Sequence, residues 1–526
     1  MDYDNKLKKM AAPASLPHPM RLSPLERFMP RAYVRQIYCF PTSNPSAIST
    51  LSHGLIGLAR DVPYILSRVV SDKPGTGSAV AANTQCHSPD DIFSWHDLSA
   101  SIDYDTLKAG HFPPSAFLAP GVIPPDTIPP YPASPAVFHA RASLVKGGLI
   151  LCVAVYHVVV DITGFDALLK IWASHCRNSS SREIGFDASW IDRGPLFSAS
   201  ENWSNPSIHA PMPKLLHTRT PEELARRAGL SQAGQVAGSG QKSYRTGIFY
   251  FPHQQLRALK DAVNAHITSQ EPGSWVSTSN ILSSLLWSAI LEAEGNFGLL
   301  NIDEAVTDND TRTSTLSFPV QFRSVLRPPL PQDFLGAAFL MTNAKVLHRD
   351  VCRISRTRTN SEPGARDQKL KLVPQAQIEA DRAVDSVDIP SLAKVALAIR
   401  KSMQGIDDVA VRQVLAYLEA QTDINPEAPL ILGPPRYDAG GSGASVVSWA
   451  DQHIYELSWG EAIGRCDTVR LPKMGYERDP IVLPRVPSLN GDSGGLEVIM
   501  SYEESAMQRL IEGPIMRRFA ILRCLS

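Results

Sequence analysis

The sequence predicts a mixed α/β (α+β) protein of two domains, and three observations carry that reading. Its 526 residues exceed what one hydrophobic core serves, so two domains of roughly 200 to 250 residues are expected. Stretches rich in β-branched and aromatic residues mix with stretches of helical periodicity, with no repeat and no regular β-α-β alternation. Between about 190 and 243 the composition turns to Ser, Pro, Gly and Ala, as an inter-domain connection does. The expected division is therefore an N-terminal domain over 1–190, a linker over 191–243 and a C-terminal domain over 244–526.

Tyr33 to Phe40 is β-branched and aromatic and stops at Pro41, which predicts a strand. Residues 46–70 show helical spacing, interrupted by Pro63. A Gly/Ser/Ala-rich loop follows over 73–90, and prolines punctuate Phe112 to Pro135 too densely for regular structure. Val137 to Ser143 and Gly148 to Val160 read as strands around the Lys146-Gly147-Gly148 turn. Thr163 to Cys176 then repeats Phe165, Leu168, Leu169 and Trp172 at helical spacing. A short charged helix is expected near Pro221 to Ala228, inside the linker.

In the second half Tyr244 to Phe251 is a strand and His253 to Ala265 a helix. Ser277 to Glu292 is a buried-looking helix with a Ser/Thr-rich start suited to capping. Leu316 to Arg323 is a strand, and the arginine-rich 349–371 stretch an exposed insert. Helices are expected over about 377–403 and 406–421, strands over Ser445 to Trp449 and Gly494 to Tyr502, and a closing helix over Glu503 to Glu512.

Charge and cysteines narrow the function classes. Lys plus Arg number 51 against 52 acidic residues, without a basic face that nucleic acid or a membrane surface would require. The seven cysteines are scattered with no CxxC spacing, so neither a zinc site nor a disulfide framework is indicated. The first residues lack an apolar signal core, and the longest apolar run, Leu149 to Val160, is too short to span a bilayer. A cytoplasmic protein is expected.

The chemistry points to His157. The apolar run ends in Tyr156-His157, and Asp161 and Gly164 follow at once. A His-x-x-x-Asp spacing alone says little, since His87 with Asp91 repeats it in a polar loop. His157 differs by lying at a strand end before a Gly-containing turn into a helix, where a side chain is buried and aimed. An imidazole there suits general base catalysis, because its reference pKa near 6.5 lets it accept a proton at neutral pH. Asp161 either orients the ring or locks the loop by pairing with a distant arginine. The plain alternative is a core histidine bonded to backbone.

The stretch resembles the HxxxD motif of the BAHD acyltransferases, in particular the fungal branch that includes the trichothecene O-acetyltransferase-like enzymes. Further fragments resemble the family in its own order. They are Leu22-Ser23-Pro24-Leu25 with Arg31 to Phe40, Lys146 to Leu151, and Ser277 to Ala289. After these come Val320 to Ser324 with Pro328 to Pro331 and Gly336, then Ser448-Trp449, Tyr455, Trp459-Gly460 and Val469 to Pro472, and finally Gly494 to Val498.

The resemblance implies a two-domain chloramphenicol-acetyltransferase-like fold with the active site at the domain interface. It implies an acyl-CoA-dependent O-acyltransferase, with acetyl the expected group, acting on a hydroxyl of a small secondary metabolite. No permanently bound cofactor and no metal are implied, acyl-CoA being a co-substrate, and the family leans to monomers. Carried over by position, His157 is the base and acts without an acyl-enzyme, while Asp161, Gly164 and Arg323 support the site, Asp161 pairing with Arg323.

Departures accompany the likeness. Tyr156 precedes His157 where the family often has a second histidine, and Ile162 follows Asp161 where it often has glycine. Ala337 follows Gly336 where an asparagine is common. In the region of the second signature, DFGWG, this chain has Ser458, Trp459 and Gly460, with Ser458 read at the acid's position. Ile162 and Ser458 keep open a second reading, a degenerate member that binds a small molecule or partner without catalysis.

Two further signals read as loops. Gly491-Asp492-Ser493-Gly494-Gly495 copies a serine-protease nucleophile signature without that fold's other requirements. Gly440-Gly441-Ser442-Gly443-Ala444 nearly matches a hydrolase elbow but no strand leads into it.

Overall fold

In the computed structural model, which describes residues 19–71, 79–82, 89–177, 186–198, 217–218, 243–293, 311–355, 384–421, 430–431, 443–473, 478–487 and 494–526, the motif's apolar run forms strand Gly148–Tyr156. It is the middle strand of five. Tyr33–Phe40 and Phe138–Val145 flank it antiparallel, with Tyr33 opposite Tyr156 and Phe138 opposite Val155. Phe93–Asp97 adds an edge strand parallel to Phe138–Val145.

The run is apolar throughout because both its faces are covered. On one face Leu149, Leu151, Val153 and Val155 share a core with helices Ala47–Asp61 and Ile162–Arg177. On the other, Ile150 and Cys152 meet Tyr104, and Phe112 and Phe117 from the proline-punctuated stretch. That stretch is less irregular than expected, forming 3-10 turns at Pro114–Leu118 and Pro125–Thr127.

The fifth strand of this sheet comes from far down the chain. Thr468–Arg470 pairs antiparallel with Tyr33–Phe40, Thr468 facing Cys39. Ile454, Tyr455, Trp459, Ile463, Cys466 and Val469 are buried in the same core as the N-terminal helices. A segment of the 244–526 stretch thus lies in the sheet and core of the first half. The free edge of Tyr33–Phe40 needs a partner for its backbone groups, and the 454–470 segment supplies it.

The second sheet runs Val447–Ser448, Arg478–Val482, Gly495–Glu503, Tyr244–Pro252, Ile521–Leu525. A third, of Phe339–Leu347, Thr313–Gln321 and Gly443–Ser445, completes the C-terminal half. Helix Thr278–Ala293 is buried against both through Ile281, Leu285, Trp287 and Ile290. A buried ion cluster joins the first two sheets. Arg470 Nη1 donates to Glu497 Oε2 at 2.7 Å, and Arg523 Nη1 donates to Glu497 Oε1 at 3.0 Å.

The 349–371 stretch does not begin as an exposed insert. His348–Arg353 is a helix whose Asp350, Val351 and Cys352 are buried, since Val351 and Ile354 join the C-terminal core. The rest of that stretch lies outside the described residues. So do His87, Ser442, Ser493, the charged helix at 221–228 and most of the linker. The two helices that follow are Ile389–Gln404 and Asp408–Ala420. Among the described residues no helix is long and apolar enough to cross a membrane.

Candidate active site

His157 stands where the central strand gives way to the turn before helix Ile162–Arg177. Its backbone N–H donates to Ala32 O at 2.8 Å, which fixes the start of the turn to the neighbouring strand. The ring stacks on Phe339, centroids 6.3 Å apart and planes inclined by 22°. Nδ1 lies 3.2 Å from the carbonyl of Val160. A carbonyl only accepts, so Nδ1 carries the proton and Nε2 keeps its lone pair. Nε2 has no partner among the described residues. Burial lowers the pKa of the ring below its ordinary 6.5, outweighing the Val160 carbonyl and the Asp161 charge. His157 is thus a neutral imidazole whose acceptor nitrogen is free of contacts among the described residues.

Asp161 does not orient that ring. Its carboxylate is turned away and takes four hydrogen bonds. Arg323 Nη1 donates to Oδ2 and Nη2 to Oδ1, both at 2.8 Å, while the N–H of Gly164 reaches Oδ1 at 2.9 Å and that of Ala338 reaches Oδ2 at 2.8 Å. Asp161 is therefore both the N-cap of the motif helix and one half of a buried, forked ion pair. Burial alone would raise its pKa, but Arg323 and the two N–H groups hold it below the ordinary carboxylate value. Arg323 also donates to the carbonyls of Phe334 at 2.8 Å and Gly336 at 3.1 Å. The structure joins Asp161, Gly164 and Arg323 at the turn that begins with His157, with 162 residues separating the two ends of the ion pair.

Ile162 opens the helix, and among the described residues only His111 and Phe112 combine a side chain with positive φ. No glycine is needed at 162. The requirement falls on Gly164, where a Cβ would sit 2.4 Å from Val160 Cγ2, 3.3 Å from Phe334 O and 3.4 Å from Gly336 O. Gly164 thus lets the helix's first turn press against the Arg323 block.

The same helix carries other ties to the C-terminal half. Gln321 Nε2 donates to Thr163 Oγ1 at 2.9 Å, His453 Nδ1 pairs with Asp166 Oδ2 at 2.8 Å, and Lys170 Nζ lies 3.3 Å from Asp333 Oδ1.

The second-signature residues do not join His157. Trp459 is fully buried against Trp172 and Phe40, with ring centroids 5.4 and 5.8 Å away. Arg177 donates to Ser458 O at 3.5 Å, and a Cβ on Gly460 would lie 2.8 Å from Cys176 O. The loop therefore clasps the C-terminal end of a 16-residue helix, about 24 Å along its axis from the turn that holds His157. Counting back from Trp459-Gly460 in DFGWG also places the acid at Glu456, which is exposed, and not at Ser458.

Sequence reasoning missed two supports. Phe339, against the base, opens strand Phe339–Leu347, whose alternation of Leu340, Thr342, Ala344 and Val346 with Met341, Asn343 and Lys345 was the available signal. Glu26 is buried beneath the Arg323 block, pairing with Arg193 at 3.2 Å and accepting the N–H of Ala337 at 3.2 Å. Its signal was the capping box Ser23-x-x-Glu26, where Ser23 N–H reaches Glu26 Oε2 at 2.7 Å. Among the described residues no group of three His, Cys, Asp or Glu is placed to hold a metal ion.

Residues 32–176 match the trichothecene 3-O-acetyltransferase-like N-terminal domain, and residues 121–361 match the Transferase family. The O-acetyltransferase ptmV of Penicillium ochrochloron is 23% identical over 523 residues, covering 95% of this chain and 96% of the relative. The O-acetyltransferase astG of Aspergillus oryzae is 25% identical over 522 residues, covering 89% and 95%. The crystal structure of Fusarium graminearum TRI101 complexed with coenzyme A and deoxynivalenol superposes with a TM-score of 0.67 at 17% identity. It covers 96% of this chain and 100% of that one, which establishes the shared fold.

Proposed function

This chain belongs to the Transferase family, in the branch with the trichothecene 3-O-acetyltransferase-like N-terminal domain, and from that premise we propose an acyl-CoA-dependent O-acyltransferase. The group carried is acetyl and the acceptor is a hydroxyl on a small secondary metabolite, as the names of the O-acetyltransferase relatives and the coenzyme A complex of the structural relative support. The observation that carries the reading is the free Nε2 of a neutral, Nδ1-protonated His157.

His157 Nε2 takes the proton of the acceptor hydroxyl as its oxygen attacks the thioester carbonyl carbon. The tetrahedral intermediate collapses with cleavage of the carbon–sulfur bond, and the proton on Nε2 passes to the departing thiolate. Ester and free CoA thiol result, without an acyl-enzyme. The base supplies about 10²- to 10⁴-fold of the rate. Asp161 and Arg323 act through position, holding the turn that presents the Val160 carbonyl to Nδ1. A monomer in the cytoplasm completes the proposal.

The test follows CoA-thiol release from acetyl-CoA against a panel of hydroxylated fungal metabolites, with His157→Ala in parallel. Acceptor-dependent release that falls about 10²- to 10⁴-fold in the variant is expected. Undiminished release by His157→Ala would remove the base assignment. The non-catalytic reading rested on Ile162 and Ser458. Ile162 opens the helix without a positive φ, and Ser458 lies at the far end of that helix, so neither now favours it.

A further inference from the structure

A second buried ion pair reaches the motif turn besides Asp161–Arg323. Arg193 is 4% exposed and stands at the start of the expected linker, just before the turn Gly194–Leu196. Its Nη2 lies 3.2 Å from Oε1 of the fully buried Glu26. The same nitrogen donates to the carbonyls of Val159 at 3.2 Å and Leu335 at 2.9 Å. Val159 precedes Val160, whose carbonyl faces Nδ1 of His157. Arg193 therefore fixes the peptide plane adjoining the one that orients the base.

The two ion pairs also clamp one backbone run, group by group. Arg323 donates to the carbonyls of Phe334 and Gly336, while Arg193 and the Tyr64 hydroxyl, at 2.8 Å, donate to that of Leu335 between them. The N–H of Ala337 then reaches Glu26 at 3.2 Å, and that of Ala338 reaches Asp161 at 2.8 Å. Both guanidinium groups lie over the Phe334 ring, 5.4 and 5.7 Å from its centroid. The next residue is Phe339, whose ring stacks on His157. Glu26–Arg193 thus bears on the base twice, through the turn and through the ring beside it. A buried ion pair is a poor source of stability, because desolvation offsets its attraction. What two of them supply to the one run 334–338 is fixed geometry.

We propose that Arg193, held by Glu26, is a positioning residue for the reaction, keeping His157 in the Nδ1-protonated form with Nε2 aimed at the acceptor hydroxyl. The inference rests on the base assignment above. Arg193 touches no reacting atom and acts only through Val159 and the 334–338 run.

NMR of the full-length protein labelled at its histidine ring nitrogens reads the tautomer without any substrate, the His157 signals being those missing from His157→Ala. Arg193→Lys keeps a charge beside Glu26 but lacks the fork that reaches Val159 and Leu335. In that variant the His157 ring is expected to pass from one Nδ1-protonated form to an average of both tautomers. Thiol release from acetyl-CoA, with the acceptor that the metabolite panel selects, is expected to lose about 10- to 100-fold in kcat while the KM for either substrate hardly moves. Should the lysine variant fail to fold, Glu26→Gln combined with Arg193→Gln leaves no buried charge unpaired and is expected to show the same two losses. A folded variant that keeps a single Nδ1-protonated ring and the wild-type kcat would overturn the proposal. Failure of the base assignment shows separately, as undiminished release by His157→Ala, whereas the tautomer signal judges the brace by itself.

Discussion

His157 and Val160 are joined across a three-residue turn by a hydrogen bond that decides which ring nitrogen is basic. With the Val160 carbonyl 3.2 Å from Nδ1, the proton is held on that atom and Nε2 is left free. The active form is the neutral ring, and burial lowers its pKa, so the ring stays neutral to lower pH than a free histidine. The acid limb of kcat/KM is therefore expected below 6.5. A pH profile with a limb above 6.5 would contradict that environment.

Asp161→Asn removes the charge opposite Arg323 while keeping the shape. Arg323 is fully buried, and leaving it without a counter-charge is expected to cost about 3 to 5 kcal/mol in denaturant unfolding. Because the pair acts on His157 through the turn, kcat should fall more than the KM for either substrate rises.

Two neighbouring substitutions should act in opposition to the family's usual pattern. Ile162→Gly introduces a flexible residue at the helix start and removes a side chain that packs against both the N-terminal core and the interface cluster of Trp449. It should lose about 1 to 2 kcal/mol and gain no rate. Gly164→Ala meets Val160 Cγ2 and two carbonyls, and should lose about 1 to 3 kcal/mol together with activity. Thermal melts and thiol-release rates on the pair would separate these expectations.

Glu292 offers a pH test away from the site. Burial raises its pKa from 4.5 to about 7, against the lowering charge of Arg518, and its Oε2 is a buried oxygen without a partner. Between those two values the folded protein holds a proton that the unfolded chain releases, so stability falls as pH rises through that window. Glu292→Gln keeps the neutral form at every pH. It should gain about 1 kcal/mol at pH 8, discounted for partial exposure, and almost nothing at pH 4. Melting temperatures at the two values decide it.

The strand, turn and helix around His157 were legible because their signals are local: an apolar run, an N-capping aspartate, a nearby glycine and helical spacing. Arg323 was legible only through the family likeness, since no local rule pairs residues so far apart. The Val160 carbonyl and the Ala338 N–H were not legible at all, because backbone groups carry no residue signature. The Trp459-Gly460 loop could be recognised but not placed, as only its packing on Trp172 and Cys176 says which end of the helix it clasps. The place of Thr468–Arg470 in the first sheet was not legible either, because three residues are too short a strand for sequence to assign to a distant sheet.

That short strand bears on how the chain is made. Until residue 470 has left the ribosome, Tyr33–Phe40 lacks one of its two partners, and the Phe40 and Trp172 rings lack Trp459. The first half cannot finish folding while the second is still being synthesised, so the usual domain-by-domain order of co-translational folding does not apply here. A truncated product ending in the linker would present an open, apolar sheet edge, the kind of surface that chaperones hold and aggregates recruit.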